Sequence, residues 1–358
     1  MAVRARPIDC NGNHSLPYLD LDPNLTYRIR VVNTGSLAGF TLRFQEENLQ
    51  LIQLDGGIDV EPQSQKSATS AGILFPGQRM DLILRRSPEV DDQAPSSLTI
   101  DLDQGCFKYP NPALTPSHTF PIYYNNPSIP ESNINPSAPA PIPNDTFHID
   151  IERASSTSSL LASIPAKAQQ THVVYTKIEK LARLSNIPYG FFNRTTWKPQ
   201  ADPPIPLISL PRHQWDRNQL AVVTGPEPEW VDLIVNNLDE GPHPFHLHGH
   251  NFYVLFIHKA SIGWGSYNPF QDAFPPGLSL PSASSDPEYT PYDLTRAILR
   301  DTVQIPSRGY AVLRFRADNP GVWLFHCHIA WHLASGMAMV VDVLGDIEGE
   351  WAHSALNL

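Results

Sequence analysis

Short runs in which apolar and polar residues alternate recur along the first third of the chain, at residues 26–33 (TYRIRVVN), 49–54, 80–84 and 98–102. Each is closed off by Gly, Pro, Asn or Asp. A period of two sets successive side chains on opposite faces of a strand, and turn residues between such runs mark a β-sandwich or barrel. The pattern predicts an all-β protein. Residues 166–184 form the one stretch with helical character, but Val173, Val174 and Tyr175 inside it favour strand. It therefore stays unassigned.

Residues 125–145 (NNPSIPESNINPSAPAPIPND) are rich in Pro, Ser and Asn and nearly devoid of large apolar side chains, the composition of a semi-rigid linker. Domains of residues 1–124 and 146–358 follow, a division that suits a chain of 358 residues. The halves match one another in pattern. Val31-Val32-Asn33 followed by Phe40-Thr41-Leu42-Arg43 corresponds to Ile234-Val235-Asn236 followed by Phe245-His246-Leu247-His248. Phe75-Pro76-Gly77-Gln78-Arg79 before one strand corresponds to Ile305-Pro306-Ser307-Arg308-Gly309 before another. Two copies of one sandwich are expected, the first without metal because Thr41 and Arg43 stand where the second has His246 and His248.

Composition narrows the class. Prolines (36) outnumber glycines (20), in keeping with short strands and rigid loops, and 41% apolar residues support real cores. No apolar run approaches the roughly 18 residues of a membrane span. A net charge of -11 argues against nucleic acid as a partner. Three cysteines, Cys10, Cys106 and Cys327, are too few for a disulfide scaffold. N-x-S/T triplets at Asn13, Asn24, Asn144 and Asn193 suit a secreted protein, whereas residues 1–9 lack the apolar core of a signal peptide.

The candidate chemistry is concentrated in two segments, which hold seven of the 14 histidines: His243-Pro-Phe-His246-Leu-His248-Gly-His250 and His326-Cys327-His328-Ile-Ala-Trp-His332. On a strand His326 and His328 share one face and Cys327 points to the other, so neighbouring residues serve two sites. A thiolate, two imidazoles and a weak axial thioether make up a blue-copper electron-transfer centre, a set available from Cys327, His243, His332 and Met337. Met337 is alternatively a core methionine, and zinc is the competing metal. On the other face His246, His248, His326 and His328 offer four imidazoles, enough for more than one copper. His250 is read as a hydrogen-bonding neighbour of the ligands. His14, His118, His148, His172, His213, His258 and His353 are given no role.

At residues 235–255 and 300–340 the sequence resembles the multicopper oxidases, in particular the laccase-like enzymes of ascomycete fungi. The likeness extends over the whole chain as the second and third cupredoxin domains of a three-domain enzyme. It implies two tandem cupredoxin-like β-sandwiches and type 1 copper on His243, Cys327 and His332 with Met337 axial. It also implies type 2 copper on His246 and the type 3 pair on His248, His326 and His328. The family's other His-x-His motifs, carried by its first domain, are not found in this sequence, so a first cupredoxin domain, in cis or on another chain, is expected to complete the cluster.

The implied activity is one-electron oxidation of phenols, such as pigment or secondary-metabolite precursors, at Cys327, His243 and His332, with dioxygen as acceptor and a secreted location. Ala330 stands where ferroxidases and many basidiomycete laccases carry a carboxylate, and the chain ends at Leu358 without a membrane anchor; both weigh against an iron oxidase. The alternatives are a non-enzymatic type 1 electron-transfer protein and a truncated, inactive product. With Cys327 required as a thiolate, Cys10 and Cys106 are expected to pair with each other or with the first domain.

Overall fold

The computed structural model describes residues 17–62, 68–88, 96–107, 109, 112–124, 147–278 and 289–345. The segment expected to be a linker, residues 125–145, lies outside them. Every element longer than five residues is a strand, and helical turns are confined to Ser158–Leu161, Ala330–Ala334 and short 3-10 pieces. The all-β expectation holds.

Ten strands between Leu19 and Asp150 make one continuous sheet, in the order Leu19–Leu21, Ser117–Tyr124, Ser96–Leu102, Phe40–Phe44, Ala68–Leu74, Glu47–Leu54, Arg79–Arg86, Tyr27–Val32, with Ile58–Asp59 and Phe147–Asp150 alongside. The alternation seen in sequence is the alternation of burial. Arg28, Arg30 and Val32 are exposed while the residues between them turn inward, and on the neighbouring strand Met80, Leu82 and Leu84 are fully buried. Phe147–Asp150 runs parallel to Ala68–Leu74, so the chain adds a strand to the first sheet before the second unit starts.

Two further sheets follow. Six strands are ordered Pro188–Phe192, Gln170–Lys180, Glu229–Asn237, Gly309–Ala317, Phe252–Lys259, Ile298–Arg300; five are ordered Ala221–Val223, Ala338–Val343, Gly321–Cys327, His243–Leu247, Thr302–Ile305. They face each other across an aromatic layer. Phe192 of the first lies 5.5 and 5.8 Å from Phe245 and Phe325 of the second, centroid to centroid. Burying each such ring contributes about 1.5–3 kcal/mol.

The unassigned stretch resolves as the long strand Gln170–Lys180 followed by a 3-10 turn, Ala182–Leu184. It has a parallel partner in Glu229–Asn237 and an antiparallel one in Pro188–Phe192. Partly buried on both faces along most of its length, it lacks the clean alternation of a strand with one wet face.

The internal repeat is visible in the pairings. Tyr27–Val32 pairs with Arg79–Arg86 as Glu229–Asn237 pairs with Gly309–Ala317. Phe40–Phe44 lies between Ala68–Leu74 and Ser96–Leu102, as His243–Leu247 lies between Thr302–Ile305 and Gly321–Cys327. In this register Thr41 faces Asp101 where His246 faces His326, and Phe40 faces Leu102 where Phe245 faces Cys327. The ligand positions of the second unit are thus occupied in the first by Thr41, Asp101 and Leu102, with Arg43 bound to Asp101 at 2.7 Å. Buried apolar side chains of both units form one connected core, from Leu42 to Val343.

Candidate metal centre

The strands His243–Leu247 and Gly321–Cys327 are neighbours in antiparallel register. Beyond Cys327 the chain turns into the short helix Ala330–Ala334, which returns His332 toward the sheet. Gly336, at φ +104°, ends this turn, and a Cβ there would collide with Thr196. Met337 then follows, its N–H donating to His332 O at 2.9 Å and its carbonyl accepting from Cys327 N at 3.0 Å.

This loop closes a triangle of ligand atoms. Cys327 Sγ lies 3.7 Å from His243 Nδ1 and 3.6 Å from His332 Nδ1, and the two nitrogens are 3.1 Å apart. A trigonal first-row metal with bonds of about 2.0 Å to N and 2.3 Å to S would hold such atoms roughly 3.5 Å (N to N) and 3.7 Å (N to S) apart. The triangle fits a small transition metal, and two imidazoles with one thiolate suit copper. It is the one group of three or more His, Cys, Asp or Glu ligand atoms among the described residues. Met337 is fully buried beside it.

Asp239 sets the chemistry of this triangle. Its Oδ2 accepts from His243 Nε2 at 2.9 Å and is itself held by the N–H of Ile178 at 2.8 Å. With Nε2 carrying the proton, the lone pair of His243 is left on Nδ1, aimed at Cys327. Burial pushes His332 down to about 4, helped by the adjacent His243 and opposed by Asp239, so its ring is neutral at neutral pH. Burial pushes the Cys327 thiol up, so a metal must displace its proton on binding.

The opposite face gathers the four remaining imidazoles. Ring centroids are 5.0 Å apart for His246 and His248, 5.2 Å for His248 and His326, and 5.8 Å for His326 and His328. Nδ1 of His246 donates to Asp301 O at 2.9 Å, with Thr302 Oγ1 at 3.0 Å, and Nδ1 of His326 donates to Cys327 O at 2.9 Å. Both rings therefore turn Nε2 to their neighbours, and His248 Nε2 and His326 Nε2 are 3.1 Å apart. His326 is pushed down to about 4, chiefly by burial. Burial likewise lowers His248 and His328, which favours the neutral form that binds metal.

Every ligand residue expected from sequence thus lies in one of two adjoining groups. His250 stays outside them: its ring sits between Phe315 and Trp323, with one long contact of 3.4 Å to His248 O. Sequence reasoning missed Asp239 and Asp301. The first is four residues before His243, a spacing that could have flagged it; the second immediately precedes the strand Thr302–Ile305 and is well separated in sequence from both histidine motifs. Asp301 forms a two-pronged ion pair with Arg79 of the first unit at 2.7 and 2.6 Å. Burial opposes its ionisation, but hydrogen bonds from Arg79, His246 and Thr302 outweigh it and hold the carboxyl below the usual range. Cys106 is a half-buried thiol bound to Asp103 at 3.4 Å; Cys10 lies outside the described residues, as do Asn13 and Asn144.

A cavity of about 840 Å³ opens onto the first group. His243, His332 and Asp239 line it together with the apolar residues Leu37, Phe107 and Trp331, among others.

Comparison with known proteins adds the family. Two family models, both described as multicopper oxidase, match residues 5–92 and 180–346, together more than half of the chain. The iron transport multicopper oxidase FET5 of Saccharomyces cerevisiae is 28% identical over 331 residues, 90% of this chain and 50% of its own length. The iron transport multicopper oxidase FET3 of Gibberella zeae is 29% identical over 329 residues, 89% of this chain and 46% of its own length. The chain thus spans about half the length of these curated relatives. Among solved structures, Fet3p, titled a multicopper oxidase that functions in iron import, superposes with a TM-score of 0.72 at 22% identity, covering 91% of this chain and 57% of that one. The laccase of Botrytis aclada gives 0.67 at 21% identity, covering 99% and 58%; at such identities both attest the cupredoxin-like fold alone. Both histidine segments and Cys327 fall inside the second matched stretch, and the chain belongs to the multicopper oxidase family, whose cofactor is copper.

Proposed function

We propose that the chain is the substrate-oxidising portion of a laccase-like multicopper oxidase that takes single electrons from phenols. His243, Cys327, His332 and Met337 would hold type 1 copper; His246 would hold type 2 copper, and His248, His326 and His328 the type 3 pair. Copper supplies one-electron redox chemistry at the first group and dioxygen chemistry at the second. The residues of this chain do the rest. The apolar cavity takes up an aromatic ring, Trp331 and Phe107 exclude water around it, and the ring comes against the edge of His243. Asp239, which fixes the His243 tautomer, stands beside that edge as acceptor for the phenolic proton.

The observation that carries this reading is the cavity itself: about 840 Å³, walled mainly by apolar side chains and reaching His243 and His332. A site of this size and lining suits an organic molecule. Iron(II) is the second reading, favoured by the names of the curated relatives and by Asp239 and Glu240 at the cavity. Reducing the blue centre of the copper-loaded chain in a stopped-flow instrument tests the choice. A bulky diphenol is expected to reduce it with saturation, and iron(II) without. Saturating iron(II) kinetics and no reaction with phenols would decide for iron.

A further inference from the structure

The turn from Phe75 to Arg79 in the first unit, which matches in sequence the turn before Gly309–Ala317, lies against His328 and reaches the surroundings of His246. Arg79 reaches across to Asp301 with both Nη atoms, at 2.7 and 2.6 Å, while its Nη1 also holds Gly77 O at 2.9 Å. Asp301 accepts a further bond from Thr302 Oγ1 at 2.8 Å. The backbone carbonyl of Asp301 and the hydroxyl of Thr302 are in turn the two groups that face His246 Nδ1. Gln78, almost fully buried, directs Nε2 to Thr302 O at 3.4 Å. Gly77 is the second contact. At φ +83° it lies so close to His328 that a Cβ would come within 2.4 Å of the ring.

We propose that this turn is a positioning element of the copper cluster: Arg79, acting through Asp301 and Thr302, fixes the ring and tautomer of His246, and Gly77 seats the ring of His328. The proposal rests on the assignment of these histidines to copper, but on no assumption about the substrate. Its physical basis is the fork geometry of a guanidinium on a carboxylate, which sets direction as well as distance. Groups that orient metal-binding histidines typically change metal affinity ten- to a hundredfold when removed. The first unit thereby shapes the site of the second.

The test uses the full chain with 15N-labelled histidine, first metal-free and then titrated with copper(II). In the wild type, His246 is expected as the Nδ1–H tautomer with a slowly exchanging proton. In Arg79→Leu that tautomer becomes mixed, and the copper bound by imidazoles alone, resolved by electron paramagnetic resonance, weakens about ten- to a hundredfold. The blue signal of the Cys327 centre keeps its affinity. Arg79→Lys, which keeps the charge without the fork, recovers part of the loss. Gly77→Ala weakens the imidazole-only copper while leaving the His246 tautomer intact. Arg28→Leu, which breaks an exposed pair with Asp81 on the same sheet, changes neither readout. An unchanged His246 tautomer in Arg79→Leu overturns the proposal, as does loss of both copper signals in step, which would make Arg79 a residue of general stability. Failure to oxidise phenols moves neither readout.

Discussion

Nδ1 of His326 donates to the carbonyl oxygen of its own neighbour Cys327, at 2.9 Å. The thiol of one residue faces the His243 and His332 triangle, while the ring of the other faces His248 on the far side of the strand. One peptide unit therefore separates two groups of ligands, and a hydrogen bond short-cuts it. Strand parity alone sends the side chains apart; the hydrogen bond additionally fixes which nitrogen of His326 is left for metal.

Replacing Cys327 by Ser keeps nearly the same volume in a fully buried position but removes the thiolate. The copper-loaded variant is expected to lose the intense blue absorption completely while still binding copper through imidazoles on the other face. Retention of the blue colour would show that another sulfur ligates the metal.

Removing the acceptor of His243 acts on the same centre indirectly. In Asp239→Ala the ring loses the partner that keeps its proton on Nε2, and copper affinity at the Cys327 centre is expected to fall about ten- to a hundredfold. Competition with a chelator of known affinity measures this. An unaltered affinity would mean that packing alone orients His243.

The depressed histidines make the metal-free fold sensitive to acid. His326 and His332 are pushed from 6.5 to about 4 by burial, so the unfolded chain binds their protons first as pH falls. Their contribution is fully present above pH 6.5 and is lost progressively down to pH 4. For His326 it reaches at most ~3 kcal/mol. Urea unfolding of the metal-free chain at intervals across this window should show the decline. A flat profile would contradict the burial of these rings.

The first unit also lines the cavity, through Leu37 and Phe107. Leu37→Trp should fill part of the space and slow reduction of the blue centre by a bulky diphenol about tenfold or more, a loss of roughly 1.4 kcal/mol in transition-state binding. Iron(II), which needs no such volume, should reduce it as before. Equal slowing of both donors would place the electron entry point elsewhere.

How far the site could be read from sequence depends on the distance between partners. Tyr27–Val32 announced itself because one face is wet, whereas Gln170–Lys180 is partly buried on both faces and shows no such period. The histidine groups were legible because strand parity is local: His246 and His248, or His326, Cys327 and His328, need only their own strand. Arg79 and Asp301 are 222 residues apart, and no local pattern ties them. Asp239 lies within reach of the motif in sequence, but its role depends on the Ile178 N–H, supplied by the very strand that could not be assigned.

Four imidazoles converge on one face, and none of the other histidines among the described residues approaches them closely enough to join a group of ligands. In the proposed assignment these four are half of the set that holds the type 2 and type 3 coppers. Reduction of dioxygen needs several electrons delivered to metals held at fixed separation, and a half-built cage leaves their positions open. The copper-loaded chain on its own is therefore expected to oxidise a phenol about once per blue centre, bleaching as it does so, with no sustained uptake of oxygen. Supplying a cupredoxin domain that carries two His-x-His motifs, fused before Met1 or mixed in trans, should restore uptake and recolour the centre after each turnover. An oxygen electrode run with and without that domain separates the cases. Steady uptake by the chain alone would mean that ligands beyond His246, His248, His326 and His328 complete the cluster.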